Sequence, residues 1–302
     1  MQPAYFFARR NSLRLLAALP VLAAGVGHAQ SSKAAPRADA PKVALVLGSG
    51  SARGFAHIGV IKALEAARIK PDLIVGTSAG ALVGAFYAAG FTGAQMEDLA
   101  IKVKDIDIVD MNSGSKRGMI IGDTLQTFVN RATRDRAIEA LGIPFIAVAT
   151  ALRTGEVMTF RKGDLGLAVR ASCSVPGVFI PPKVNDIEYV DGALVSPVPV
   201  RIAREAGADF VIAVDVTSGP LNGSPQGIYE QVMHSFDIMG RSLAKLEADQ
   251  ADVLIRPDVS RIASTDFGNR AVFIQIGQAA GTRFAPVVQE KLAAFRAPKK
   301  KA

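Results

Sequence analysis

Asp72-Leu73-Ile74-Val75-Gly76-Thr77-Ser78-Ala79-Gly80-Ala81-Leu82-Val83 is the stretch on which the reading turns. A short apolar run feeds a G-x-S-x-G pentapeptide, and a helix-like segment through Tyr87 follows. In a strand-turn-helix setting the turn is so tight that the serine hydroxyl is pushed out toward a substrate, while Gly76 and Gly80 let the backbone pass. Ser78 is the candidate nucleophile.

A serine hydroxyl needs a base to take its proton and hydrogen-bond donors to hold the oxyanion that forms. Upstream, Val43-Ala44-Leu45-Val46-Leu47 reads as a buried strand running into Gly48-Ser49-Gly50-Ser51-Ala52-Arg53-Gly54. A helical pattern with Ile58, Ile61 and Leu64 on one face comes next. A small-residue loop opening a helix exposes backbone N–H groups at the positive end of the helix dipole, which suits a developing oxyanion or a phosphate. Gly50, Ser51, Ala52, Arg53 and Gly54 are the candidate oxyanion-hole residues, with Arg53 adding a charge. The spacing does not fit a dinucleotide fingerprint. Arginine stands where the third glycine belongs, and Thr77-Ser78 replace the ribose-binding acid. No Gly-Lys-Ser/Thr is present there for a P-loop.

Three histidines are available as a base. His28 falls in an N-terminal targeting segment, and His57 reads as a packing residue at the start of a helix. The order Ser78, Asp191, His234 matches that of α/β-hydrolases and stays open as a triad. Against it, one clear strand precedes the strand leading to Ser78, where that fold has several. His234 also sits in the long helical pattern Gln226–Gln250. The remaining candidate is an aspartate. Ile187-Glu188-Tyr189-Val190 reads as a strand that delivers Asp191-Gly192-Ala193 to its end. A carboxylate bonded to the serine can act as general base without histidine where water is excluded and its pKa suits.

Taken together these motifs resemble the patatin-like phospholipase family, in its short single-domain bacterial branch. Gly48–Gly54 is similar to its glycine-rich oxyanion loop, Gly76–Gly80 to its nucleophile elbow, and Asp191-Gly192-Ala193 to its D-G-G/A motif. Ala171-Ser172-Cys173-Ser174-Val175-Pro176-Gly177-Val178-Phe179 is similar to its A-S-x-x-x-P-x-x-F segment, and Arg117-Gly118 followed by Gly122-Asp123 also fits. The resemblance spans residues 42–216. It implies a three-layer α/β fold with a mostly parallel central sheet flanked by helices. It also implies a Ser78/Asp191 dyad that cleaves lipid acyl esters, of phospholipase A or lysophospholipase type, through an acyl-enzyme and without a cofactor. The family's loop commonly runs G-G-G-x-R/K-G, whereas Ser49 and Ser51 replace two glycines here. A non-catalytic lipid-binding protein of the same fold is the other reading.

Arg9, Arg10 and Arg14 precede the apolar run Leu15–Val26, and Gly27-His28-Ala29 resembles a cleavage site. Residues 1–29 are expected to be a secretory signal; the apolar core of about a dozen residues is short of the roughly twenty a transmembrane helix needs. Residues 30–41 read as a disordered leader, 42–296 as the hydrolase domain and 297–302 as a basic tail. A periplasmic or secreted protein is expected. The single cysteine, Cys173, allows no internal disulfide. An apolar content of 49% suits one domain whose strands are buried on both faces.

The net charge is +8, or +5 once the three signal-region arginines are removed. That favours anionic lipid surfaces, so a peripheral membrane contact is expected. No basic stripe interleaved with aromatics points to nucleic acid. No His/Cys ligand cluster or H-E-x-x-H pattern points to a metal. Pro144–Ala151 and Glu156–Phe160 read as a hairpin, and Phe210–Val216 and Val253–Ile255 as further strands. Lys104–Gly118 mixes charges with Ile106, Ile108 and Met111 and reads as a lid or lipid-facing loop. Residues 217–225 read as another loop.

Overall fold

The computed structural model describes residues 42–111, 114–217 and 227–297. The expected signal segment, the leader to residue 41, most of the 217–225 loop and the end of the basic tail lie outside the described residues. In chain order the elements are β1 (Val43–Leu47), α1 (Phe55–Ala66), β2 (Leu73–Thr77), α2 (Ala79–Ala88), α3 (Gly93–Lys102), β3 (Gly118–Ile120), α4 (Asp123–Thr133), β4 (Phe145–Ala151) and β5 (Val157–Phe160). They continue as α5 (Leu165–Ser172), β6 (Gly177–Phe179), β7 (Lys183–Val184), β8 (Ile187–Asp191), α6 (Val200–Glu205), β9 (Phe210–Val214), α7 (Ile228–Ala248), β10 (Val253–Ile255) and α8 (Arg270–Arg296).

The main sheet runs β10-β9-β1-β2-β4-β8-β7, with β5 also on β4. Strands β10, β9, β1, β2 and β4 are parallel, and β5, β7 and β8 are antiparallel to their neighbours. The continuous apolar runs of β1, β2, β4 and β9 are buried along their whole length, as parallel strands covered on both faces must be. Side chains alternate between two cores. Val43, Leu45, Leu47 and Ile74 pack with α1, α2 and α8, while Ala44, Val46, Leu73 and Val75 pack with Val200, Ile202, Ala244 and Ala248 of α6 and α7. The expected three-layer α/β fold with a mostly parallel sheet is therefore present. A separate two-stranded parallel sheet joins β3 to β6.

Two glycines set the helix layer. A Cβ on Gly59 of α1 would lie 1.9 Å from the Ile274 carbonyl oxygen of α8, and one on Gly277 would lie 1.9 Å from that of Ala56. The backbones of α1 and α8 touch there, and α1 is covered on nearly every side.

Strand β4 decides where the site forms. Thr77 of β2 pairs with Val148, and Asp191 of β8 pairs with the next residue, Ala149. Strand β5 pairs with residues 147–150 and so overlaps both. Because a strand has two edges, β2 and β8 must share one edge of β4, approaching from opposite ends. The end of one strand therefore faces the end of the other.

Candidate active site

Ser78 follows β2 and precedes α2 with φ 55° and ψ −123°, a backbone conformation that side-chain-bearing residues rarely adopt. The close passage behind it requires Gly80, where a Cβ would come within 2.1 Å of the Leu47 carbonyl oxygen. Gly76 lies against Gly80 and Ala81 in the same turn. The Ser78 N–H donates to Ser172 Oγ at 2.8 Å, and that hydroxyl donates in turn to the Val148 carbonyl at 2.6 Å. The strained turn is thus held by a fully buried serine from the end of α5.

The Ser78 hydroxyl donates to Asp191 Oδ2 at 2.6 Å, and the Ala193 N–H donates to Asp191 Oδ1 at 2.8 Å. The backbone of Asp191 is clamped as well. Its N–H donates to the Ser174 carbonyl at 2.8 Å, and its carbonyl accepts from Thr150 Oγ1 at 2.8 Å. Gly192 passes against the Val148 carbonyl and Thr77, and Thr77 Oγ1 holds the Ser196 carbonyl at 2.8 Å. Asp191 is 3% exposed. Burial pushes its pKa up to about 6, against the lowering effect of the bonds from Ser78 and Ala193.

His234 lies half-buried on α7 and makes no bond to Asp191, whose carboxylate reaches Ser78 directly. The histidine triad is not assembled. Cys173 sits beside both Ser78 and Asp191. Its burial and the nearby carboxylate push the thiol pKa up, which keeps it protonated and a poor nucleophile.

The glycine loop packs against the elbow, where a Cβ on Gly54 would come within 2.3 Å of Ala79 Cβ. Its backbone donors are not equivalent. The Ala52 N–H is taken by the Ser264 carbonyl at 2.9 Å and the Arg53 N–H by the Gly50 carbonyl at 3.1 Å. Of the five residues expected to line an oxyanion hole, these two have their N–H groups engaged. Those of Gly50 and Ser51 have no acceptor among the described residues. Ser51 has φ 52°, a conformation that suits the glycine it replaces. Arg53 is buried with Nε and Nη2 on the Ile262 carbonyl at 3.1 and 3.0 Å, so it ties the loop to the segment before α8.

The A-S-x-x-x-P segment acquires a physical role here: Ser172 supports the turn at Ser78, and the carbonyl of Ser174 holds the backbone N–H of Asp191. Arg117 forks onto Glu188 of β8 with 2.6 and 3.1 Å bonds, three residues before Asp191. Sequence reasoning singled out these motifs without assigning Ser172, Thr77 or Thr150. Their hydroxyls carry no sequence periodicity that distinguishes them from ordinary strand and helix-end residues. Among the described residues no group of three or more His, Cys, Asp or Glu side chains is placed to hold a metal ion.

Residues 45–204 match the family model for patatin-like phospholipase. An uncharacterized NTE family protein of Mycobacterium tuberculosis is 38% identical over 193 residues, covering 62% of this chain and 51% of that protein. Human patatin-like phospholipase domain-containing protein 6 is 34% identical over 200 residues, 63% of this chain and 14% of its own length. The chain thus spans about half the length of the mycobacterial relative or less of others. In fold it is similar to VipD from Legionella pneumophila, with a TM-score of 0.55 at 13% identity over 82% of this chain and 67% of that one. The motifs, the fold and the family match agree, and the chain belongs to the patatin-like phospholipase family.

Proposed function

We propose that this protein is a serine hydrolase of lipid acyl esters, with Ser78 as nucleophile and Asp191 as the group that accepts its proton. The observation that carries the reading is the 2.6 Å bond from the Ser78 hydroxyl to a buried carboxylate at the apex of a strained turn. As the ester carbonyl is attacked, the proton on Ser78 Oγ passes to Asp191 Oδ2 and the Oγ–carbon bond forms. The oxyanion is met by the N–H groups of Gly50 and Ser51, which have no acceptor among the described residues. Asp191 then returns the proton to the departing alcohol as the carbon–oxygen bond breaks, leaving an acyl-Ser78 enzyme. Water activated by Asp191 releases the fatty acid.

The Ala193 N–H bond and the buried setting support this assignment in opposite ways. Burial raises the basicity of Asp191, and the Ala193 bond orients its outer oxygen so that the inner one faces Ser78. The exposed Ile106 and Met111 support the expected contact of the 104–118 segment with a lipid surface. The arginine-led apolar leader supports export, testable by cell fractionation of the full chain, where retention in the cytoplasm sinks it.

Hydrolysis of a p-nitrophenyl ester series and of phospholipid vesicles tests the function. Activity abolished in Ser78→Ala and Asp191→Asn but kept in His234→Ala is the expected pattern. Lipid binding without turnover in the unaltered protein would instead favour a non-catalytic member of the fold.

A further inference from the structure

His57 is the third residue of α1, and it is fully buried. Its Nε2 lies 2.7 Å from the carbonyl oxygen of Gly48. A carbonyl only accepts, so Nε2 carries the proton, and the other ring nitrogen, Nδ1, has no hydrogen-bond partner among the described residues. Leaving a buried polar atom unpaired is unfavourable, a penalty an apolar side chain of similar volume would avoid. What the imidazole supplies in return is one N–H at the reach of Gly48.

Gly48 is the first residue of the glycine loop, and His57 stands three residues beyond its last, Gly54. The Gly48 N–H donates to the Val214 carbonyl at 3.0 Å, so Gly48 is held by β9 through its N–H and by α1 through its carbonyl. Between these anchors lie Gly50 and Ser51, whose N–H groups have no acceptor among the described residues. Ser51 adopts φ 52°, a conformation that residues with side chains rarely take. The Arg53 N–H on the Gly50 carbonyl at 3.1 Å and the Ser49 and Ala52 N–H groups on the Pro197 and Ser264 carbonyls at 2.8 and 2.9 Å fix the rest of the loop, and His57 fixes its first carbonyl.

We infer that His57 is a positioning residue of the oxyanion loop, stapling its first carbonyl to the helix that follows so that the Gly50 and Ser51 N–H groups stay aimed at the reacting carbonyl. The inference rests on the hydrolase reading of Ser78. His57 does not touch the substrate. Burial holds its pKa down to about 4, consistent with a neutral ring that serves as a fixed donor.

Glutamine and asparagine separate this role from general packing. The amide of His57→Gln reaches about as far as Nε2 and donates to Gly48; that of His57→Asn is equally polar and too short. On p-nitrophenyl butyrate, octanoate and dodecanoate, His57→Asn is expected to lower kcat about tenfold to a hundredfold, the scale of an ångström of misalignment. KM should stay close to that of the unaltered protein, and the loss should be the same for all three chains. His57→Gln should recover most of kcat. Hydrogen exchange of peptide 48–54 should rise in His57→Asn and not in His57→Gln. Equal kcat in the two variants, or a loss confined to KM or to long chains, overturns the inference. Absence of turnover in the unaltered protein would refute the hydrolase reading, and the exchange comparison still decides whether His57 holds the loop.

Discussion

Ser78 and Asp191, separated by 113 positions in sequence, meet at 2.6 Å because their strands end against each other on one edge of β4. The contact has a direct consequence for pH. Asp191 accepts a proton only when ionised, and its pKa stands near 6 because burial disfavours the charge. The pH profile of kcat/KM should therefore fall on the acid side with an apparent pKa of about 6, with a slope of one. An acid limb near the ordinary carboxyl value of 3.8 would show that the free enzyme's base is solvated or is another group.

The same burial sets a stability cost. A carboxyl group whose pKa rises from 3.8 to about 6 on folding binds its proton more tightly in the native state. Its ionisation opposes folding increasingly as pH climbs from about 4 to 6, and the penalty is complete above that window. The penalty is on the order of 3 kcal/mol at neutral pH. Asp191→Asn keeps one acceptor for the Ala193 N–H and presents its amide N–H to the Ser78 oxygen, without the charge. It should be inactive yet melt at a higher temperature than the unaltered protein at pH 7.5, with the difference vanishing near pH 4. A lower melting temperature at pH 7.5 would contradict the charge-burial account.

How far the sequence discloses this site depends on the residue. Ser78 and Asp191 stand out because each sits at the end of an apolar run and beside a glycine, so local pattern alone places them at strand ends. Strand β4 was readable as half of a hairpin with β5, but not as the strand whose other edge unites β2 and β8. That is a long-range pairing that no period encodes. Ser172 was visible only as part of a motif, because one helix-end serine resembles another until its partners are known. Helix α8 went unassigned: its interior Pro286 and the weak segregation of its apolar residues mask a 27-residue helix. The loop donors divide into engaged and open sets through contacts with residues about 210 positions away, such as Ser264 on Ala52.

Ser172 offers a sharp test of the support beneath Ser78. In Ser172→Ala the Ser78 N–H and the Val148 carbonyl both lose their partner in a fully buried place. The cost should be about 1–3 kcal/mol for the unpaired groups. Turnover should fall about tenfold or more as the strained turn relaxes, with little change in KM. Retention of full kcat at a lowered melting temperature would confine Ser172 to a structural part.

Glycine substitutions should separate close approach from mere absence of a side chain. A Cβ at Gly80 meets the backbone oxygens of Leu47 and Gly48 at 2.1 and 2.6 Å, so Gly80→Ala must push β1 and α2 apart. A loss of about 3 kcal/mol or more is expected, together with activity. Gly240, inside α7, has nothing within 4 Å of an added Cβ. Gly240→Ala should stabilise by about 0.5–1 kcal/mol through the lower helix cost of alanine. Denaturant midpoints of the two variants moving in the same direction would refute this account.

The segment before β3 exposes Ile106 and Met111 at 78% and 70%, with Lys104 and Lys116 close in sequence. Arg117 fastens its far end to the strand that delivers Asp191. Apolar side chains left in water gain roughly 1.5–3 kcal/mol each on entering an apolar phase, and nearby lysines add attraction to anionic headgroups. The double variant Ile106→Ser with Met111→Ser should therefore bind anionic phospholipid vesicles more than tenfold more weakly in sedimentation, because each lost side chain removes a large part of that gain. Hydrolysis of the same vesicles should fall in proportion, while kcat/KM for p-nitrophenyl butyrate in solution should not change. Equal losses on both substrates would place these side chains in the architecture of the site, and unchanged vesicle binding would move the lipid contact to another face.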